Sequence, residues 1–355
     1  MPKSCSRNPL HTLRLAAVLL GAALAVGEPA FPQSSAEPNY VVAFAQDTLD
    51  NDWRFAQASE LADEFAKYPE IEFRLTNARG STALQVEHVE QFTEQQVDVL
   101  IVSPRDGTAM TPAISRAYRA GIPIVLLTRR ITTDDYTSFV GPNDLEIAAE
   151  AARYIARRLG GSGRVIVLEG VPTASTAIDR TEGFVNEIER YPEIEIVAME
   201  PAHYLRGEAL LVMDRFLERQ GATLHQGASA HQGASAHQGA SAHQGADEDR
   251  GGPPDPGFDA IYAQSDSMAA GARIALEHAG YDPADFVTVG IDYISEAREA
   301  IRNGTQDISY LYPTSAAQAA QVAVDILRGN PVSRNVTVPS IAVTRENVEL
   351  VEPIF

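Results

Sequence analysis

From residue 40 onward, short apolar runs alternate with segments whose apolar positions recur at helical spacing. Residues 40–45 (YVVAFA), 97–102 (VDVLIV) and 122–127 (IPIVLL) carry apolar side chains at nearly every position, the pattern of strands buried on both faces. Between them Trp53, Phe55, Leu61, Phe65 and Tyr68 are helix-spaced until Pro69 stops the segment, and residues 71–75 alternate as a strand. Residues 83–95 and 111–120 read as helices, the second with Pro112 in its first turn. The cycle restarts after Asn143: helices at 145–159, 177–190, 206–219 and 267–278 alternate with strands at 164–168, 194–199, 259–263 and 286–291. Strands separated by helices require crossover connections and parallel sheets covered on both faces. Two such runs in succession predict an α/β protein of two doubly wound parallel-sheet lobes.

Two segments fall outside this rhythm. At the start, Lys3, Arg7 and Arg14 precede an apolar run (LAAVLLGAALAV) with small residues at Ala23 and Ala25, so residues 1–25 read as a cleavable export signal. The run is shorter than the ~20 apolar residues that span a bilayer. Residues 221–257 form a low-complexity insert in the second lobe, in which HQGASA repeats place His225, His231, His237 and His243 six residues apart. That spacing lies neither on one helix face nor at the offsets of known zinc sites, so the insert reads as a polar loop.

Charge narrows the partners. The 355 residues carry a net charge of −20, and Lys3 and Lys67 are the only lysines. Such a surface repels phosphate backbones, so no nucleic acid is expected. A single cysteine, Cys5, excludes an internal disulfide framework. There is no GxSxG, HExxH or P-loop, and Gly160, Gly161 and Gly163 precede a strand instead of opening a helix. Neither cofactor nor metal is expected, and no catalytic residue is assigned. Asp47, Asp179, Asp266 and Asp292 could furnish a carboxylate pair, yet each also sits where aspartate commonly caps a helix. His88 and His278 fall on helix patterns and read as surface residues.

The polar and aromatic residues are placed informatively. In open α/β sheets, ligands bind beyond the carboxyl ends of the strands. There the chain puts Asp47, Asn51 and Trp53, then Arg129, Arg180, Ser265 and Asp292. An aromatic face offers a stacking surface for C–H groups, while carboxylates, amides and guanidiniums match hydroxyls, so the set suits a small polyol. Trp53 is expected to serve the ligand and leave the fold untouched when removed.

These residues lie in motifs that resemble the type I periplasmic sugar-binding proteins of the ribose/galactose class: TLDNDWR (48–54), DVLIVSP (98–104), AGIPIVLLTRR (120–130), ASTAIDRTEGF (174–184), YAQSDSMAAGA (262–272), VGID (289–292) and LYPT (311–314). The spellings QDTLDNDWR, TPAISRAYRAGIP and VTRENV are similar to the sugar-sensing input domains of hybrid two-component sensor kinases. The resemblance implies an N-terminal lobe of residues 39–142 and 312–340, a C-terminal lobe of 143–311 and 341–352, and a three-crossing hinge near 141–144, 310–313 and 340–343. It also implies sugar contacts at Asp47, Asn51, Trp53, Arg129, Arg180, Ser265 and Asp292. The implied ligand is a pentose, hexose or related sugar. The implied partner is the membrane permease of an ABC-type sugar transporter or, alternatively, a sensor kinase, and the implied location is the periplasm. Thr128, Ser265 and Leu311 depart from the family's usual Asp, Asn and Gln. A transcriptional regulator of the same architecture would need a helix-turn-helix headpiece where this chain has its leader, and a glycosidase would need two placed carboxylates.

Overall fold

The apolar runs become strands and the amphipathic stretches the helices that cover them. A computed structural model describes residues 39–222 and 253–355; the leader segment and most of the repeat insert lie outside the described residues. The order is β1 (Tyr40–Gln46), α1 (Asp52–Phe65), β2 (Ile71–Asn77), α2 (Thr82–Glu94), β3 (Val99–Val102), α3 (Gly107–Arg119), β4 (Ile124–Leu127) and β5 (Ser138–Gly141). It continues with α4 (Asp144–Arg158), β6 (Ser162–Glu169), α5 (Ser175–Ile188), β7 (Glu193–Pro201), α6 (Arg206–Arg219), β8 (Ala260–Ala263), α7 (Asp266–His278) and β9 (Val287–Asp292). It ends with α8 (Ser295–Asn303), β10 (Ile308–Leu311), α9 (Ala316–Leu327), β11 (Asn335–Thr337) and β12 (Ile341–Thr344).

Two six-stranded sheets result, β11-β5-β4-β3-β1-β2 and β12-β10-β9-β8-β6-β7. All pairs are parallel except β10 with β12, which makes β12 an antiparallel edge strand. The chain passes between the sheets three times, after β5, after β10 and after β11.

Strand periodicity divides the core. Val42 and Phe44 join one layer with α1 and α9, whereas Ala43 and Ala45 face the opposite layer with α2 and α3. In the second sheet Val165 and Val167 face α4 and α5, and Ile166 and Leu168 face α6 and α7. All four residues of β3 are fully buried. Each such aliphatic side chain contributes about 1.5–3 kcal/mol of transfer free energy.

Pro112 departs from the expectation. Asp106 caps α3 by accepting from Thr108 N and Ala109 N at 2.9 and 2.7 Å, so the helix begins at Gly107 and Pro112 lies inside it. The capping aspartate started the helix earlier than the apolar pattern indicated.

Candidate functional site

The carboxyl ends of the two sheets face each other across a cleft. In the first sheet the strand order reverses between β1 and β3, and in the second between β6 and β8. Loops leave in opposite directions at such points and open a crevice. The lobes touch around it. Gly107 N donates to Thr173 O at 3.1 Å, Thr173 Oγ1 to Arg105 O at 3.2 Å, and Arg130 N to Ser175 Oγ at 2.8 Å.

The inner part is a narrow cavity of about 30 Å³ lined by Asn51, Trp53, Arg54, Thr176, Arg180, Tyr204, Asp292 and Tyr312. Asn51 caps α1, its Oδ1 accepting from Arg54 N at 2.8 Å. Thr176 and Arg180 are one helical turn apart on α5, which brings both to the same face.

Arg180 is held on several sides. Its Nε donates to Asp144 Oδ1 at 2.7 Å, its Nη1 to Gln264 O at 2.5 Å, and its guanidinium carbon lies 4.4 Å from the Tyr312 ring centre. Burial disfavours its charge, but Asp144, Tyr204 and Tyr312 outweigh burial and raise its pKa further above the ordinary value. Tyr312 Oη donates to the other Asp144 oxygen at 3.1 Å.

Asp292 faces the cavity from the end of β9 with φ 114°, a conformation unusual for a residue with a side chain. Burial pushes its carboxyl well above the usual range, with the Arg180 charge opposing. Burial thus favours its protonated form, which can donate as well as accept.

Two aromatic residues outside the sequence expectation complete the walls. Tyr204 follows His203 with both at positive φ, and its hydroxyl lies 3.1 Å from Thr176 Oγ1. Gly170 makes room for it, since a Cβ there would stand 1.9 Å from Tyr204 Cζ. Tyr312 lies on the segment between β10 and α9 and accepts from Trp53 Nε1 at 3.0 Å.

Trp53 also belongs to the core. It is 7% exposed and packs in the cluster under the second sheet, although α1 belongs to the first. Its removal must disturb the fold as well as the cavity, contrary to the expectation from sequence.

The remaining expected residues lie apart from this cavity. Asp47 and Arg129 line an adjoining chamber of about 230 Å³ together with Arg54 and Arg105. Ser265 is buried and caps α7, its Oγ accepting from Met268 N at 3.3 Å, and it lines neither space. Asp266 is spent on structure, accepting from Tyr293 N, Ser309 Oγ and Gln306 Nε2 at 2.6–2.7 Å, and burial raises its pKa to about 6. Arg54, Thr176, Tyr204 and Tyr312 were not singled out from sequence, although Arg54 stands inside TLDNDWR and Tyr312 inside LYPT.

A family model described as periplasmic binding protein domain matches residues 42–331. The chain belongs to this family. Periplasmic binding proteins capture solutes without converting them, so the protein is non-catalytic. Among individual members, a xylitol-binding protein of Mycolicibacterium smegmatis is 26% identical over 83% of this chain and 74% of its own length. A ribose import binding protein of Escherichia coli is 25% identical over 87% of this chain and 92% of its own. Among solved structures, the fructose-binding periplasmic domain of a hybrid two-component system superposes with a TM-score of 0.74 at 28% identity, covering 88% of this chain and 92% of its own. A myo-inositol-bound transporter solute-binding protein of Bacillus halodurans gives 0.74 at 26% identity, covering 89% and 98%.

Proposed function

We propose that this periplasmic binding protein captures a small sugar or related polyol between its lobes and presents it to the permease of an ABC-type sugar transporter. The observation that carries the reading is the cleft cavity in which Trp53 and Tyr312 supply aromatic faces beside Asn51, Arg180 and Asp292. A sugar ring presents C–H groups to the aromatic faces and hydroxyls to the polar groups. Ligand touching both lobes favours closure by its differential contacts. Asn51, Trp53, Arg180 and Asp292 are the proposed ring contacts, with Arg54, Thr176, Tyr204 and Tyr312 added. Residues 1–25 are proposed to direct export to the periplasm.

Sensing is the second reading, favoured by the likeness to the fructose-binding sensor domain. There the closed lobes would signal to a kinase instead of docking on a permease.

Trp53 is the only tryptophan, so its fluorescence during titration with pentoses, hexoses and polyols tests the cavity directly. A saturable change with one of them is expected. No fluorescence change and no calorimetric heat across the whole panel would overturn the reading.

A further inference from the structure

The chamber beside the ring cavity is built around one carboxylate and three guanidiniums. Asp47 is 1% exposed. Its Oδ2 accepts from Arg129 Nη1 at 2.7 Å and lies 3.9 Å from Arg105 Nη1, while its Oδ1 lies 3.6 Å from Arg54 Nε. Among the described residues Asp47 is the one carboxylate in ion-pairing reach of these three arginines.

The rest of their partners are neutral. Arg54 Nη1 donates to Gln57 Oε1 at 3.0 Å and to Ser103 Oγ at 2.8 Å. Arg129 Nη1 also reaches Pro104 O at 3.4 Å, and its Nε is buried without an acceptor. Asp47 Oδ1 likewise lacks a hydrogen-bond donor. At the rim Asp50 is exposed and Glu208 is paired with His203.

Three guanidiniums thus share one buried carboxylate at the inner end of the chamber, while its other two acids, Asp50 and Glu208, stand at the rim. Arg54 and Arg129 are buried there, and Arg105 is about a quarter exposed. Burying unpaired ions is costly, and hydroxyls of a neutral sugar cannot cancel the charge. The strain shows at Arg54, whose pKa is lowered to about 10 by burial and by the neighbouring Arg129. Asn51, Arg54 and Tyr204 line both spaces, so one ligand can occupy them together.

We infer that the ligand is a sugar bearing an anionic substituent, a carboxylate or a phosphate, whose ring lies against Trp53 and Arg180 and whose anion lies among Arg54, Arg105 and Arg129. This rests on the reading of the cleft as a sugar site. Guanidinium forks match both oxyanions with two parallel bonds, and Asp47 Oδ1 remains free to accept a hydroxyl from the same ligand.

Calorimetry with matched sets tests it: D-glucose, D-glucuronate and glucose 6-phosphate; D-galactose and D-galacturonate; D-ribose, D-ribonate and ribose 5-phosphate; D-fructose and fructose 6-phosphate. In at least one set the acidic member is expected to bind at least tenfold tighter than its neutral parent. The uronate, aldonate and phosphate arms tell which oxyanion is taken. Arg105→Gln is then expected to weaken the acidic member about tenfold more than the parent. If neutral sugars bind as tightly as their acidic partners, or Arg105→Gln weakens both alike, the anionic assignment fails and the sugar reading stands. If no member of any set binds while a neutral sugar or polyol of the wider panel does, the anionic assignment fails and the sugar reading stands; if nothing in either panel binds, both fall.

Discussion

Replacing Trp53 by alanine removes a tie between α1 and the crossing after β10, and its size can be worked out. The indole Nε1 donates to Tyr312 O at 3.0 Å. A neutral bond of this kind contributes about 1 kcal/mol net. The ring pairs with Tyr312 at a centroid separation of 5.6 Å, and such a pair adds about 0.5–1.5 kcal/mol beyond burial. Truncating a buried tryptophan costs about 3–5 kcal/mol in all, a range that contains both terms. Trp53→Ala should therefore lower the unfolding free energy by about 3–5 kcal/mol. Trp53→Phe keeps most of the ring, loses the N–H and should cost about 1–2 kcal/mol. Because the ring reaches from α1 to the segment between β10 and α9, part of the loss falls on the closed state, and sugar affinity should drop in the same order. Urea unfolding followed by far-UV circular dichroism measures the first effect, since either variant lacks the fluorophore. Calorimetry measures the second. A Trp53→Ala protein with the wild-type unfolding midpoint, or one that is destabilised yet binds at wild-type affinity, would refute the argument.

Three further outcomes follow from the same cavity. Burial holds the free Asp292 carboxyl well above its ordinary pKa against the pull of Arg180 and Arg54, with Asp266 and Asp144 reinforcing the rise. A hydroxyl donating to it favours the ionised form, so binding releases protons and affinity falls as pH drops through that raised value; Asp292→Asn should bind more weakly and with a flatter pH profile, and an Asn variant with the wild-type profile would remove Asp292 from the site. Arg180→Met leaves Asp144 buried without its cation, and breaking a buried pair costs about 3–5 kcal/mol, readable as a lower urea midpoint with loss of binding. Gly170→Ala puts a methyl 1.9 Å from Tyr204 Cζ, so the ring must move and affinity should fall at least tenfold by calorimetry, whereas unchanged binding would place Tyr204 outside the recognition surface.

What could be read from the sequence follows from how each residue gets its surroundings. Strands such as β3 and β4 are continuous apolar runs because both faces are covered, and that pattern is local. β5 reads SFVG and β11 reads NVT, too short and too mixed to register; both are strands because a neighbouring strand offers a ladder to pair with. The site divides in the same way. Asn51, Trp53, Arg180 and Asp292 stand at or beyond strand ends or open helices, where a topological rule locates ligands. Tyr204 reaches the cavity through two successive residues at positive φ and the missing side chain of Gly170, none of which leaves a mark in periodicity. Thr176 reads as an ordinary helix-start residue, and Ser265 proved to be a cap. The cluster of arginines around Asp47 draws on α1 and on the loops after β3 and β4, so only the assembled fold makes it visible.

The threefold passage between sheets governs how the chain can be made. α9 contributes Ala316, Ala319, Ala320 and Ala323 to the layer that covers Val42, Phe44, Val99 and Ile101, and β11 closes the edge beside β5. Synthesis proceeds from the N-terminus, so the nascent first sheet emerges with one face covered by α1 alone and waits for the whole of α4 to β10 before α9 completes the cover. Strands with part of that face exposed invite pairing with other chains. The two lobes are thus one unit of biosynthesis, and a ribosome-stalled chain ending at Leu311 should be held by chaperones instead of carrying a finished first lobe.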